Sequence, residues 1–266
     1  MFGLGKPNLP TSEEERVWLD ASFQRLARLL GRRTLLEAKV MLPIPECFPD
    51  PYDASEAAML RLFGRVADAM QIDPLSVDVG VFDNSIPDAS RLLPFYSAKS
   101  DGAGGVYLHD PTQRPRIGVN ADQLRDPMAL VATLAHELGH IMLLRPGLVE
   151  RDEPDMEPLN DLLVVFMGLG VFAANSAFRF EQHTSYDRQG WSTKRLGYLS
   201  EELFGYALAR FALERGELKP AWASYVSSNV APYLHRSLAW LKANGATPLL
   251  SHSESPAART RASDSP

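Results

Sequence analysis

The stretch from Ala129 to Leu144, ALVATLAHELGHIMLL, constrains this chain more than any other. Asp126-Pro127 stands just before it, and Pro146-Gly147 just after it. Asp is a good helix N-cap, Pro is favoured at the first helical position, and Pro-Gly stops a helix, so the spacing predicts one helix to about Leu144. That helix carries H-E-x-x-H. His136 and His140 are four apart, so both imidazoles leave one face, one turn apart, and can bind a single metal ion. Glu137 is one position round from that face, where it can reach a water on the metal rather than the metal itself. No proline falls inside the motif, its two x positions, Leu138 and Gly139, are uncharged, and the apolar Ile141 follows.

Two histidines are an incomplete site, because a catalytic zinc normally takes three protein ligands and a water. The extended pattern H-E-x-x-H-x-x-G-x-x-H fails here, with Leu143 in place of its Gly and Pro146 in place of its last His. The other known arrangement takes a Glu from the next helix. Glu157 stands 17 residues after His140 and opens E-x-x-x-D with Asp161. On a helix these carboxylates share a face, so Glu157 is the candidate third ligand. Asp161 is then the candidate acceptor for the free ring N–H of His136, fixing its tautomer. Pro158 disfavours helical backbone at Glu157, which puts Glu157 at the start of its helix or just before it. Glu153 and Asp161 remain alternative ligands.

Around this motif the chain reads as helices with a few short strands. Helices are expected at 12–31, 55–70, 197–215 and 232–243, and strands at 35–42 and 77–82. Residues 105–109 and 116–121 form a plausible hairpin. Residues 43–52, with four prolines, and 84–104 read as loops. The run from Leu162 to Ala174, LLVVFMGLGVFAA, is shorter than the ~20 residues of a bilayer span and reads as one buried helix. The expectation is a single domain over 1–245, with an N-terminal α/β lobe at about 12–144 and a helical lobe at about 155–245. A disordered tail is expected at 246–266, where Ser, Ala, Pro and Arg dominate.

Composition narrows the function classes. The net charge of −6 argues against nucleic-acid binding, which wants a basic surface. The only cysteine, Cys47, excludes an internal disulfide and fits a reducing compartment. The N-terminus, MFGLGKPNLPTSEEERVW, shows no secretory pattern. Cytoplasmic location without membrane or nucleic-acid partners is the expectation.

On His136, Glu137, His140, Glu157 and Asp161, the chain resembles the zincin metallopeptidases, and among them the thermolysin-like, or gluzincin, branch. The resemblance covers residues 136–161 and is to the class rather than to one family. It departs in the compact spacing to Glu157 and in Met156, where the branch has Asn before its third ligand. It implies an α+β zincin-like fold: a small mixed sheet whose edge strand packs on the H-E-x-x-H helix, plus a mainly helical C-terminal part. It implies a Zn²⁺ ion on His136, His140 and Glu157, with Glu137 as general base towards a peptide or protein substrate. Substrate would pair as an added antiparallel strand with Arg116–Ala121 or Val106–His109. The donor for the oxyanion stays open among His183, Tyr186 and Tyr198, while His109, His235 and His252 have no useful spacing.

Two rivals stand beside the hydrolase. One is a metal-binding regulatory or interaction domain without peptidase activity, against which Glu137 and the lack of further cysteines argue. The other is a helical structural protein with a chance motif. Elemental analysis should find about one zinc per chain, the content of a mononuclear site. Glu157→Ala should remove most of that affinity, and Asp161→Asn should weaken it ~10–100-fold. Loss of zinc in Asp161→Ala with none in Glu157→Ala would reverse the two assignments.

Overall fold

A computed structural model describes residues 8–82, 105–108, 114–184 and 199–250, with backbone alone for 105–108 and 178–184. Helix α1 (Glu13–Leu30) starts where Ser12 and Glu15 form a reciprocal capping box and ends at Gly31, φ 90°. Its apolar stripe, Leu19, Phe23 and Leu26, is fully buried. Helix α2 (Arg32–Glu37) follows at once. Helix α3 (Glu56–Ala69) is capped by the Ser55 hydroxyl, which accepts from Ala58 N–H.

Three short strands come next: β1 (Asp78–Phe82), β2 (Gly105–Leu108) and β3 (Arg116–Asn120). They form one mixed sheet in the order β1-β3-β2. β1 runs parallel to β3, with Gly80 opposite Gly118. β2 runs antiparallel to β3, with Tyr107 opposite Ile117, as the hairpin reading required. β3 is therefore central and paired on both sides. It cannot accept an added strand, which removes Arg116–Ala121 from the two candidates for pairing with a substrate. β2 lies at an edge, and no other described strand pairs with its outer side. Residue 109 and the loop at 84–104 lie outside the described residues.

From β3 the chain turns through Asn120, whose side chain accepts from Asp122 N–H, into helix α4 (Pro127–Leu144). Asp126 caps α4 by accepting from Ala129 N–H, and Pro127 occupies its first turn. This is the H-E-x-x-H helix, and it packs against α3, β2, β3 and the two helices that follow. α4 is long and apolar enough to cross a membrane, but 78% of it is buried inside the body. Its apolarity is that of a central core helix covered on nearly every side.

Helix α5 (Met156–Phe166) and helix α6 (Gly170–Thr184) come next. The apolar run at 162–174, read as one helix, is thus two. The break is Gly168, whose φ of 87° no helix allows. A Cβ there would lie 2.4 Å from the Lys39 carbonyl oxygen. The Gly168 carbonyl accepts from Met41 N–H at 2.9 Å, so the corner is tied to the segment after α2. That segment also corrects the strand expected at 35–42. α2 runs to Glu37, and the carbonyls of Leu35, Leu36 and Ala38 accept from the Arg215 guanidinium. Partners for this backbone come from a side chain and a helix corner instead of from a ladder.

Helix α7 (Glu201–Glu214), capped by Ser200, packs on helix α8 (Ala231–Ala243). α1, although first in sequence, lies on α5 and α7. Its Asp20 accepts from the Tyr206 hydroxyl at 2.9 Å and from Arg210 at 3.0 Å. Beyond α8 the chain continues over the body to Leu250, which is buried, and the Glu214 carboxylate accepts from Leu249 and Leu250 N–H. The rest of the expected tail, 251–266, lies outside the described residues. The buried apolar side chains from Leu19 to Leu250 form one contiguous core.

Two glycine substitutions should move stability in opposite directions. Gly168→Ala forces a left-handed alanine, at ~1–2 kcal/mol, and sets its methyl against a backbone carbonyl. Gly64, inside α3, has open space where a Cβ would stand, and Gly64→Ala should gain ~0.5–1 kcal/mol from helix propensity. Calorimetry should show a Tm drop of roughly 4–8 °C for the first and a rise of a few degrees for the second. A tolerated Gly168→Ala would mean that this corner is not rigid.

Candidate metal centre

Three donor atoms meet where α4 crosses the start of α5. His136 Nε2 and His140 Nε2 are 3.1 Å apart. Glu157 Oε2 lies 3.0 Å from the first and 3.6 Å from the second. Among the described residues, this is the cluster of His and carboxylate groups able to hold a metal ion. Zinc–ligand bonds of ~2.0–2.1 Å in tetrahedral geometry put neighbouring donors ~3.3 Å apart. The triangle of 3.0, 3.1 and 3.6 Å edges therefore fits one face of such a polyhedron. Two imidazoles and one carboxylate, without thiolates, are the donor set of catalytic rather than structural zinc sites.

Local sequence explains the placement. α5 begins at Met156, so Glu157 and Pro158 both fall in its first turn. There a proline is harmless, because the N–H it lacks has no intrahelical partner anyway. The positive end of the helix also favours a carboxylate at Glu157. One turn on, Asp161 Oδ1 accepts from His136 Nδ1–H at 3.0 Å, while its Oδ2 accepts from Leu199 N–H at 2.9 Å. Both oxygens of Asp161 are thus in use on the far side of the ring from the triangle. Glu153 is turned elsewhere and forms a two-pronged pair with Arg25 at 2.7 and 2.9 Å. Glu137 is 7% exposed, on α4 beside His136. The Glu157 side chain is 39% exposed, so the triangle opens to solvent on that side.

The electrostatics follow from burying rings beside carboxylates. Burial opposes charge on His136, but the hydrogen bonds to Asp161 and Glu157 outweigh it and hold its pKa well above the usual value. Burial and the neighbouring His136 push His140 down to about 3. Burial works against the charge on Glu157, yet the bond to His136 brings it down to about 2. These balances put a positive charge on His136 between the two carboxylates and leave His140 neutral.

Of the other candidates, His235 lies on α8, away from the triangle. His183 falls in α6, where only backbone is described, and His109, Tyr186, Tyr198 and His252 lie outside the described residues. Three contributors were not singled out from the sequence. Leu199 offers only a backbone N–H, which no sequence pattern marks. Asn160 donates from Nδ2 to the His136 carbonyl at 2.9 Å, and Gly139 lies against Asn160 Oδ1. A polar Asn-Asp pair inside the apolar run LNDLLVVF was the available signal for Asn160. No family model, curated protein or solved structure matches this chain.

The pKa directions generate a test. In chelator-treated protein the His136 proton links Asp161 and Glu157. A raised folded pKa makes that contribution complete below the unfolded value of ~6.5 and lost as pH climbs through the folded one. Bound zinc reverses the sign, because metal and proton compete for the same Nε2. The Tm of chelator-treated protein should fall as pH rises from about 6.5, and that of zinc-saturated protein should hold or rise. A chelator-treated Tm that climbs over this range would remove the proton from His136.

Proposed function

We propose that this chain is a zinc-dependent hydrolase of the zincin type, a metallopeptidase acting on peptide or protein substrates. The observation that carries the proposal is the convergence of His136 Nε2, His140 Nε2 and Glu157 Oε2 within one small triangle, with Glu137 on the adjoining position of the same helix. His136, His140 and Glu157 would hold the ion. Zinc in such a place supplies Lewis acidity, lowering the pKa of a bound water and polarising a carbonyl.

The remaining work belongs to side chains of this protein. Asp161, by accepting Nδ1–H, holds His136 in the tautomer whose Nε2 lone pair points into the triangle. Glu137 takes a proton from the attacking water and passes it to the leaving amine. Its side chain is buried on α4, next in sequence to His136. The open side at Glu157 admits the substrate, and the outer edge of β2, on the sheet that packs against α4, offers backbone groups for an extended peptide. A structural zinc would need no general base beside it. Glu137 therefore favours the hydrolase over the binding-module reading.

Glu137→Gln separates binding from chemistry, since it keeps shape and removes basicity. Zinc content and Tm should stay at the unsubstituted values. Turnover of a denatured protein mixture should fall by at least ~10²–10⁴-fold. Loss of zinc would make Glu137 a ligand and dismiss the zincin reading. Full activity with zinc retained would place the hydrolysis elsewhere.

A further inference from the structure

Asn160 is a costly residue for its position. It is fully buried on α5, between Glu157 and Asp161, the two residues that reach His136. Its Nδ2 donates to the His136 backbone carbonyl at 2.9 Å. That carbonyl already has a partner in the helical pattern, the N–H of His140 four residues on. Asn160 Oδ1 has no hydrogen-bond partner among the described residues. It sits where a side chain on residue 139 would begin, 2.1 Å from the place of a Cβ on Gly139. A leucine of nearly the same shape would fill this space without burying an unpaired oxygen, a cost of ~1–3 kcal/mol. Backbone satisfaction therefore does not account for the amide.

Its direction does. A hydrogen bond to one carbonyl fixes both the height and the rotation of α5 against α4, which apolar packing specifies loosely. A single buried Asn sets register between coiled-coil helices in the same way. The amide has one usable orientation, because the reverse would face Oδ1 to the His136 oxygen. Gly139 completes the device: the x position of H-E-L-G-H carries no side chain, so α5 can approach until Asn160 reaches. The ligand triangle needs this control, since ligating groups must be held within about 0.5 Å to work.

We propose that Asn160, seated on Gly139, is a positioning residue that sets the register of α5 on α4 and so brings Glu157 to His136 and His140. The role rests on the metal-centre reading. Asn160→Leu keeps the shape and removes the polarity, and Asn160→Ala removes the bulk as well. Zinc affinity is measured by competition with a chromophoric chelator. Cobalt(II) spectra report ligand geometry, and Tm in chelator reports the fold.

Asn160→Leu should stay folded, with a Tm in chelator equal to or above that of the unsubstituted chain. Its zinc affinity should fall ~10–100-fold, and its cobalt absorption should change. If leucine is too bulky against Gly139 and the protein does not fold, Asn160→Ala should show the same loss of affinity. Unchanged affinity and cobalt spectrum in a folded Asn160→Leu or Asn160→Ala would overturn the positioning role and leave the metal centre standing. No zinc uptake by the unsubstituted chain would overturn the metal centre itself, and this role with it.

Discussion

Two helices that pack closely in the core of this molecule must also present three ionisable groups to one point. The contact between α4 and α5 satisfies both demands with few residues. Apolar burial, with Gly139 set against Asn160 where the two helices touch, holds them together. On the same surfaces, His136 meets Asp161 through Nδ1 and Glu157 through Nε2, each at 3.0 Å. The buried Asp161 carboxylate is offset by the ring, and in the metal-free site the two carboxylates together favour the charged ring. Burial and electrostatics are thus coupled, and the rest of the structure serves to keep α5 where that coupling works.

The supports come from distant parts of the chain. α1 reaches the turn before α5 through Trp18 to Asp155 at 2.9 Å and through the Arg25–Glu153 pair. That pair is about a third exposed, so it is worth ~1 kcal/mol at most in stability. Its value is geometric, because it fixes the segment that leads into Glu157. At the other end of α5, Gly168 turns the chain and binds Met41. From a third direction, Leu199 N–H holds the Asp161 carboxylate at the mouth of α7. A ligand on the first turn of a helix is as well placed as the loop before it, and here that loop is anchored on two sides.

The sheet contributes less to stability and more to access. With three strands of four or five residues, it packs against α4 and has β1 and β2 at its two edges. Ile117 and Val119 of β3 turn into the core, whereas Gly118 between them is half-buried, the alternation of a sheet with one face packed. The central place of β3 leaves β2, of the two strands read as candidates for pairing with a substrate, at an edge.

The sequence by itself determined the elements with strong local signals. Ser12, Ser55, Asp126 and Ser200 stand at helix starts because each hydroxyl or carboxylate can accept from the backbone three residues on. The four-residue spacing of His136 and His140 placed both rings on one face, since helical periodicity is a local property. The same periodicity aligned Glu157 with Asp161. Only tertiary structure decided what depends on partners remote in the chain. The backbone at 35–42 had strand-like residues, but Arg215, 177–180 residues away, and Gly168 took its polar groups. Between Leu162 and Ala174, hydropathy alone could not locate a break that exists because Gly168 must fit against Lys39. Strand order, which put β3 at the centre and β2 at an edge, is a matter of pairing that alternation does not encode. Asn160 shows the limit most sharply, because its amide acquires a purpose only when α5 is laid across the carbonyl of His136.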